Sequence, residues 1–217
     1  DIQDSMLQGL VLMDTINCMI RKGMIYDVDK LQSERQRMER NIRNIGFYGF
    51  STEDIYFRVD SSLMNHQVII YYIVSRKSSL DSQGRLVYTN HNMYRIRDVY
   101  VFPEFDPKLT LTEGEAYTRT FDTTYYKGIY YVAPPGRTLI KPEVINQSLY
   151  VSPGTLFSLP RSEQTQKRLL DMKNHRLVNV TYTDAGKSPD PDRNENLLDC
   201  IIQLTPMQRQ SFTVELE

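Results

Sequence analysis

Basic residues are in no excess: 26 Lys and Arg stand against 27 Asp and Glu, giving a formal net charge of -1 and a pI near 6.4. That balance excludes a protein that tracks nucleic-acid phosphates. The arginines that do cluster, Arg35, Arg37, Arg40 and Arg43, are interleaved with Glu34 and Glu39, the pattern of a solvated helix face. Histidine is scarce. His66, His91 and His175 make up the set, none at ligand spacing from another His, Cys or carboxylate cluster, and each reads as a surface residue. The two cysteines, Cys18 and Cys200, follow no metal spacing and have apolar neighbours, which points to buried free thiols rather than a disulfide. No stretch approaches the roughly 20 apolar residues of a membrane helix. Nucleophile, dinucleotide and phosphate-loop motifs are missing, and the acidic loop 184–195 lacks the spaced ligands of a calcium loop. These absences leave no catalytic residue, no metal site and no cofactor to expect. The chain opens at Asp1 without an initiator Met and reads as a piece of something larger.

At 217 residues, 40% of them hydrophobic, the chain can form two domains, each with a modest core. Near its start Met6, Leu7, Leu10 and Val11 fit either a helix or a strand. Residues 14–22 predict a short helix capped by Asp14, with a stripe of Ile16, Met19 and Ile20 and a stop at Gly23. The clearest helix is 28–45, where Leu31, Met38, Ile42 and Ile45 share one face between a cap at Asp27 or Asp29 and a stop at Gly46. The period then becomes two. Ile55, Phe57 and Val59 alternate with polar positions, and the near-continuous apolar run 68–74 follows, the pattern of an edge strand beside a central one.

Residues 75–92 are polar and serine-rich and predict a linker or long hairpin, with the boundary at 79–91 between a domain at 1–78 and another at 92–217. The second begins with a strand at 93–102, and its segment 104–128 predicts an inserted β-hairpin. The earlier order then returns: helix 141–150 with Pro142 in its first turn, helix 159–174 with Ser158 as cap, strand 176–183 and strand 197–204. The fold class is therefore α+β. It consists of two tandem βααββ modules, each a three-stranded mixed sheet with two helices on one face, the first strand of copy one being truncated.

The run Gly23-Met-Ile-Tyr26-Asp27, Leu31, Glu34-Arg35, Arg37, Arg43-Asn44-Ile-Gly46-Phe47-Tyr48-Gly-Phe50, followed by Val59-Asp60, resembles a POTRA (polypeptide-transport-associated) module. It is most similar to the Bacteroidetes TamA-like (surface antigen) relatives within the BamA/TamA family. Ile140-Lys-Pro142, Val151-Ser-Pro153-Gly154 and Glu163 to Leu169 resemble the module that precedes a membrane barrel, and 204–217 its exit into the first barrel strand. The resemblance implies a periplasmic region at the outer membrane of a Gram-negative cell, continuous with a C-terminal β-barrel. It implies no enzymatic activity and no nucleic acid. The partners would be unfolded outer-membrane protein segments, or a periplasmic or inner-membrane protein.

Tyr26, Phe47, Tyr48 and Phe50 would pin the helices to the sheet. Binding would proceed by β-augmentation, in which a sheet edge offers its unpaired N–H and C=O groups to an extended segment. The edges expected to do this are Ile55, Phe57 and Val59 in copy one and Val178, Val180 and Tyr182 in copy two. The alternative is a passive spacer that sets the position of the barrel.

Overall fold

The computed structural model describes residues 1–63, 65–136, 140–190 and 195–207. The chain divides into two compact units, one of Asp1–Tyr94, Leu156–Leu159 and Asp190–Glu195, the other of Arg95–Thr155, Pro160–Pro189 and Asn196–Glu217.

In the first unit, α1 spans Ser5–Met13 and Asp4 caps it, its carboxylate accepting the Met6 amide at 2.9 Å. The helix predicted at 14–22 is thus misplaced; Asp14–Asn17 is only a 3₁₀ turn. Leu7 and Val11, one helical turn apart, are buried, whereas Ile16 is 83% exposed. The upstream stripe found a surface to pack against and the downstream one did not. Helix α2, Val28–Asn44, matches its periodicity, with Asp27 as the cap and Leu31, Met38 and Ile42 buried. Ile45 falls just beyond the helix and is partly exposed. Glu34 is fully buried, so the arginine-rich face is not uniformly solvated as expected.

Strand β1 (Ile55–Asp60) pairs antiparallel with β2 (Ile69–Val74), from Ile55↔Val74 to Asp60↔Ile69. The first strand is short indeed: Ile2 makes a single parallel bridge to Val74, with the Gln3 amide donating to the Val74 carbonyl at 2.9 Å. Leu7, Val11, Met38, Ile42, Phe47, Phe50, Ile55 and Val74 form the core. Tyr26 does not join it and is largely exposed. Residues 75–92, expected as a linker or long hairpin, hold an exposed hairpin of β3 (Lys77–Leu80) and β4 (Leu86–Thr89), whose turn the Asp81 carboxylate ties by accepting the Gln83 and Arg85 amides.

Among the described residues the second unit is built on five strands rather than three. After β5 (Met93–Phe102) the insertion forms α3 (Pro107–Glu113) and a 3₁₀ turn (Gly114–Thr118), then a hairpin of β6 (Asp122–Tyr126) and β7 (Ile129–Ala133). The hairpin predicted over 104–128 therefore lies further along the chain, and helix takes the first part of the segment. Asp106 caps α3 with Pro107 following it, a strong start signal. Lys127 and Gly128, at φ 48° and 85°, make a two-residue turn whose central residues both have positive φ, matching the twist of a hairpin. Strand β7 joins β5 in parallel, Tyr100↔Tyr130 and Val101↔Tyr131.

Helices α4 (Pro142–Asn146) and α5 (Leu159–Asp171) precede β8 (His175–Lys187) and β9 (Glu195–Pro206), and the sheet order is β6-β7-β5-β9-β8. Leu198, Cys200, Ile202 and Leu204 are each fully buried, the period of two that puts one face of β9 into the core. Both thiols are free, Cys200 buried and Cys18, against expectation, only partly so. Part of the acidic loop (191–194) and the predicted exit strand from 208 onward lie outside the described residues.

At the exit of α5, Lys173 takes φ 57°, where the first unit's α2 exit has Gly46 at φ 116°. A Cβ in the left-handed region costs roughly 1–2 kcal/mol, part of which glycine returns as unfolded-state entropy. Lys173→Gly is expected to stabilise the second unit by about 0.5–1 kcal/mol in urea titrations. No gain would mean that the lysine side chain makes a compensating contact.

Candidate functional site

An antiparallel strand directs every second residue's N–H and C=O to one side, so a strand with a single neighbour leaves half its backbone groups unpaired. Strand β1 is such a strand, with β2 on one side and no strand on the other among the described residues. Of its predicted side chains, Ile55 is buried in the core and Val59 is exposed. Phe57 is half-buried against Tyr72, edge to face with ring centroids 5.1 Å apart. Ile55 can therefore offer only backbone to a partner, whereas Phe57 and Val59 can add apolar contact. On the opposite face Arg58 lies 4.5 Å over the Tyr71 ring.

Strand β8 is also terminal in its sheet, but its edge is less open. The Gln166 side-chain amide of α5 donates to the Val178 carbonyl at 3.0 Å, and the Tyr182 hydroxyl is hydrogen-bonded to Ser162. Val178 is buried and Val180 half-buried. Register shifts at His175/Leu177 and Asp184/Lys187 break the ladder at both ends. Bulges and capping side chains are devices that keep an edge from pairing. The two sets of predicted residues sit on separate sheets. A third edge, β6, was not anticipated: Asp122 to Tyr125 are exposed along it. Its β-branched and aromatic run carried the signal, but the inserted segment hid where it would dock.

Two buried polar clusters escaped the sequence. Neither buried histidine is the surface residue expected. His91 Nδ1 lies 2.8 Å from Asp4 Oδ2, and the His91 amide donates to the same oxygen at 2.6 Å. Its Nε2 is 3.3 Å from Asp54 Oδ2, and its ring meets Phe50 edge to face. Burial alone would depress the His91 pKa, but the neighbouring Asp54 and Asp4 carboxylates outweigh it and the net shift is upward. Burial raises and the His91 and Ser51 bonds lower the Asp54 pKa, with a net fall. His175 differs: it is buried, neither ring nitrogen is hydrogen-bonded among the described residues, and burial pushes its pKa down.

The second cluster joins Glu34, Arg37 and Asp14. Arg37 reaches Glu34 at 2.7 Å and Asp14 at 2.6 Å, while Glu34 Oε2 accepts the Met19 amide at 3.0 Å. Burial opposes ionisation of Glu34, yet these bonds win and its carboxyl stays below the usual range. The network pins the segment after α1 onto α2. Beside it lies a cavity of about 290 Å³ whose wall includes Val11, Cys18, Met38, Phe57, Ile70 and Tyr72. The described residues contain no group of three His, Cys, Asp or Glu able to hold a metal ion. None of the described helices is long and apolar enough to cross a membrane.

No protein-family model matches the sequence, and no curated protein matches it. Among solved structures the chain is similar to BamA from Haemophilus ducreyi lacking POTRA domains 1–3, at a TM-score of 0.58 and 9% identity over 95% of this chain. It spans 28% of that chain's length. It also aligns with POTRA1–3 of the periplasmic domain of Omp85 from Anabaena (13% identity, 95% of this chain and 93% of that one) at a TM-score of only 0.27. Haemophilus influenzae BamA POTRA3–5 aligns at 11% identity over 84% of this chain and 83% of that one, again at 0.27. Those two superpositions are too loose to carry weight. The BamA likeness, at so low an identity, is one of architecture: the α+β fold of this chain is shared with part of BamA.

Proposed function

We propose that this chain is a periplasmic polypeptide-binding and scaffold region of an outer-membrane β-barrel assembly or translocation factor, acting by β-augmentation. The observation that carries the reading is the open outer edge of β1, on a fold shared with BamA. In this reading the chain belongs to the TamA-like branch of the BamA/TamA family, lies at the periplasmic face of the outer membrane and continues into a barrel. It carries out no catalysis. Its partners are unfolded outer-membrane protein segments or a periplasmic or inner-membrane protein. Backbone does most of the pairing, so recognition tolerates many client sequences. Phe57 and Val59 favour apolar residues in the docked strand.

The passive spacer is the second reading, and the partly blocked edge of β8 favours it for the second unit. Chemical-shift mapping with an extended barrel-strand peptide separates the two. Shifts are expected along 55–60, with dissociation constants of roughly micromolar to millimolar, because a short strand buries little area and must itself be ordered. Phe57→Pro removes one backbone donor and is expected to weaken binding about tenfold or more. Unchanged binding in a folded Phe57→Pro variant, or shifts confined to the helices, would leave the spacer reading in possession.

A further inference from the structure

Strand β6 is the outermost strand of the second sheet, with β7 on one side and no strand on the other among the described residues. A two-residue turn closes on a hydrogen-bonded pair, here Tyr126↔Ile129, so the backbone groups of Asp122, Thr124 and Tyr126 face β7. Those of Thr123 and Tyr125 therefore face outward. Edge strands are ordinarily kept from pairing by a proline, a bulge or a lysine within the strand. Asp122-Thr-Thr-Tyr-Tyr126 contains no proline or lysine, and its register with β7 runs unbroken from Asp122↔Ala133 to Tyr126↔Ile129. The stretch is β-branched and aromatic, and Asp122 to Tyr125 are exposed.

The side chains decide which strand fits there. Tyr125, Tyr130 and Tyr100 form a row of rings across β6, β7 and β5, each centroid 5.1 Å from the next, and Tyr125 at the outer end is 64% exposed. On the other face of β6, Lys127 holds its ammonium nitrogen 5.4 Å from the centroid of Tyr126. An acid thus begins the strand and a cation follows its end, a polarity that complements itself when one copy is reversed.

In an antiparallel pair, residues that turn their backbone outward must meet residues that do the same. One register of two reversed copies meets that condition and pairs the whole strand. Thr124 faces Thr124 of the second copy, Tyr125 faces its Thr123, and Asp122 faces its Tyr126 beside the Lys127 ammonium. Threonine pairs, aromatic with β-branched pairs and opposite charges are the favourable cross-strand contacts. Sliding either strand by two residues leaves fewer residues paired.

We propose that β6 is a self-pairing edge, through which two copies of this chain join antiparallel across a two-fold axis into one continuous sheet. The surface is separate from the β1 edge and requires no client. Such an interface is isologous, so every contact in it occurs twice.

Five residues a side fall short of the roughly 20–30 of a standard interface, so a dissociation constant of about 0.1–1 mM is expected by sedimentation equilibrium of the intact chain. Thr123→Pro removes an outward N–H, leaves the β6–β7 ladder whole and should abolish the dimer. Asp122→Lys and Lys127→Asp should each weaken it about three- to tenfold, and the double exchange should restore it. Aspartate suits the positive φ of position 127, so the turn survives the change. Thr124 and its symmetry mate form a non-hydrogen-bonded pair, with Cα atoms about 4.5 Å apart and within disulfide reach. In a Cys18→Ser background, where the remaining Cys200 is buried, oxidised Thr124→Cys should give at least fivefold more covalent dimer than Tyr125→Cys.

A chain that stays monomeric at about 1 mM would overturn the proposal, as would a dimer unchanged by the charge exchanges and by Thr123→Pro. Cross-linking at 125 in preference to 124 would overturn the register, and with it the choice of a second copy as the occupant. A dimer lost in Phe57→Pro but not in Thr123→Pro would place the contact at β1 and sink the assignment to β6. Loss of barrel-strand peptide binding in Thr123→Pro, without any dimer to lose, would make β6 a client edge and refute self-pairing.

Discussion

His91→Asn is expected to destabilise the first unit by about 3–5 kcal/mol, the cost of leaving buried charge without its partner. The histidine clasps two carboxylates from distant parts of the unit. Asp4 caps α1, Asp54 directly precedes β1, and both carboxylates face an imidazole that is only 2% exposed. The loss should appear as a lower urea midpoint and as faster amide exchange in α1. A drop below 1 kcal/mol would show that packing against Phe50, not charge, holds the ring.

The pH dependence has two arms. The folded His91 pKa is raised from its ordinary 6.5, so its stabilisation is full below that value and is lost as pH rises through the folded pKa. Asp54 is shifted down from 3.8, so its contribution is full above that value and is lost as pH falls through its folded pKa. The first unit should therefore be most stable in mildly acidic solution, between about pH 4 and 6.5. His91→Asn should flatten the alkaline arm.

The second unit should respond to acid in the opposite way. His175 is buried without a hydrogen-bond partner at either nitrogen among the described residues, and its pKa is depressed from 6.5 by burial. Above 6.5 it is neutral in both the folded and unfolded chain and costs nothing in protonation. As pH falls below 6.5 the unfolded chain takes up the proton first, and stability is lost until the folded pKa is reached. His175→Leu removes the titration and two unsatisfied nitrogens. It is expected to stabilise the second unit by about 1–3 kcal/mol at neutral pH, and by more at pH 5. Residue-resolved hydrogen exchange at pH 5 and 7.5 reads the two units separately. An unchanged or steeper acid loss in the Leu variant would refute the assignment to His175.

Opposite acid responses in one chain trace to the same residue type in two surroundings, and neither was visible in the sequence. His91 stands 87 residues from Asp4, and no local spacing relates them. His175 looks like a surface residue because Lys173 and Asn174 precede it, but it begins an edge strand whose inward positions enter the core. Glu34 misled for a similar reason. Its neighbours on α2 are charged, and only the fold brings Asp14 and Met19 over that turn.

Elements with a strong internal period were legible. Helix α2 lies where Leu31, Met38 and Ile42 align, because burying one stripe of a helix demands that spacing wherever the helix ends up. β1 and β9 follow for the same reason with a period of two, and β2 from its near-continuous apolar run. The α+β class and the repeated order of elements could thus be read directly. The helix near the start could not, since two apolar stripes compete there and the sheet accepted Leu7 and Val11 rather than Ile16 and Met19.

Periodicity belongs to the chain itself, so sequence alone determined the strongly periodic elements and the order in which they recur. The number of strands in the second sheet, the edge that stays open, the fate of each buried charge and the cavity beside Tyr72 were decided by tertiary structure. Those properties depend on which distant group fills the space next to a residue. A β7 that pairs in parallel with β5, or a Gln166 that takes up the Val178 carbonyl, satisfies backbone and side-chain groups whose local sequence would have allowed several other partners.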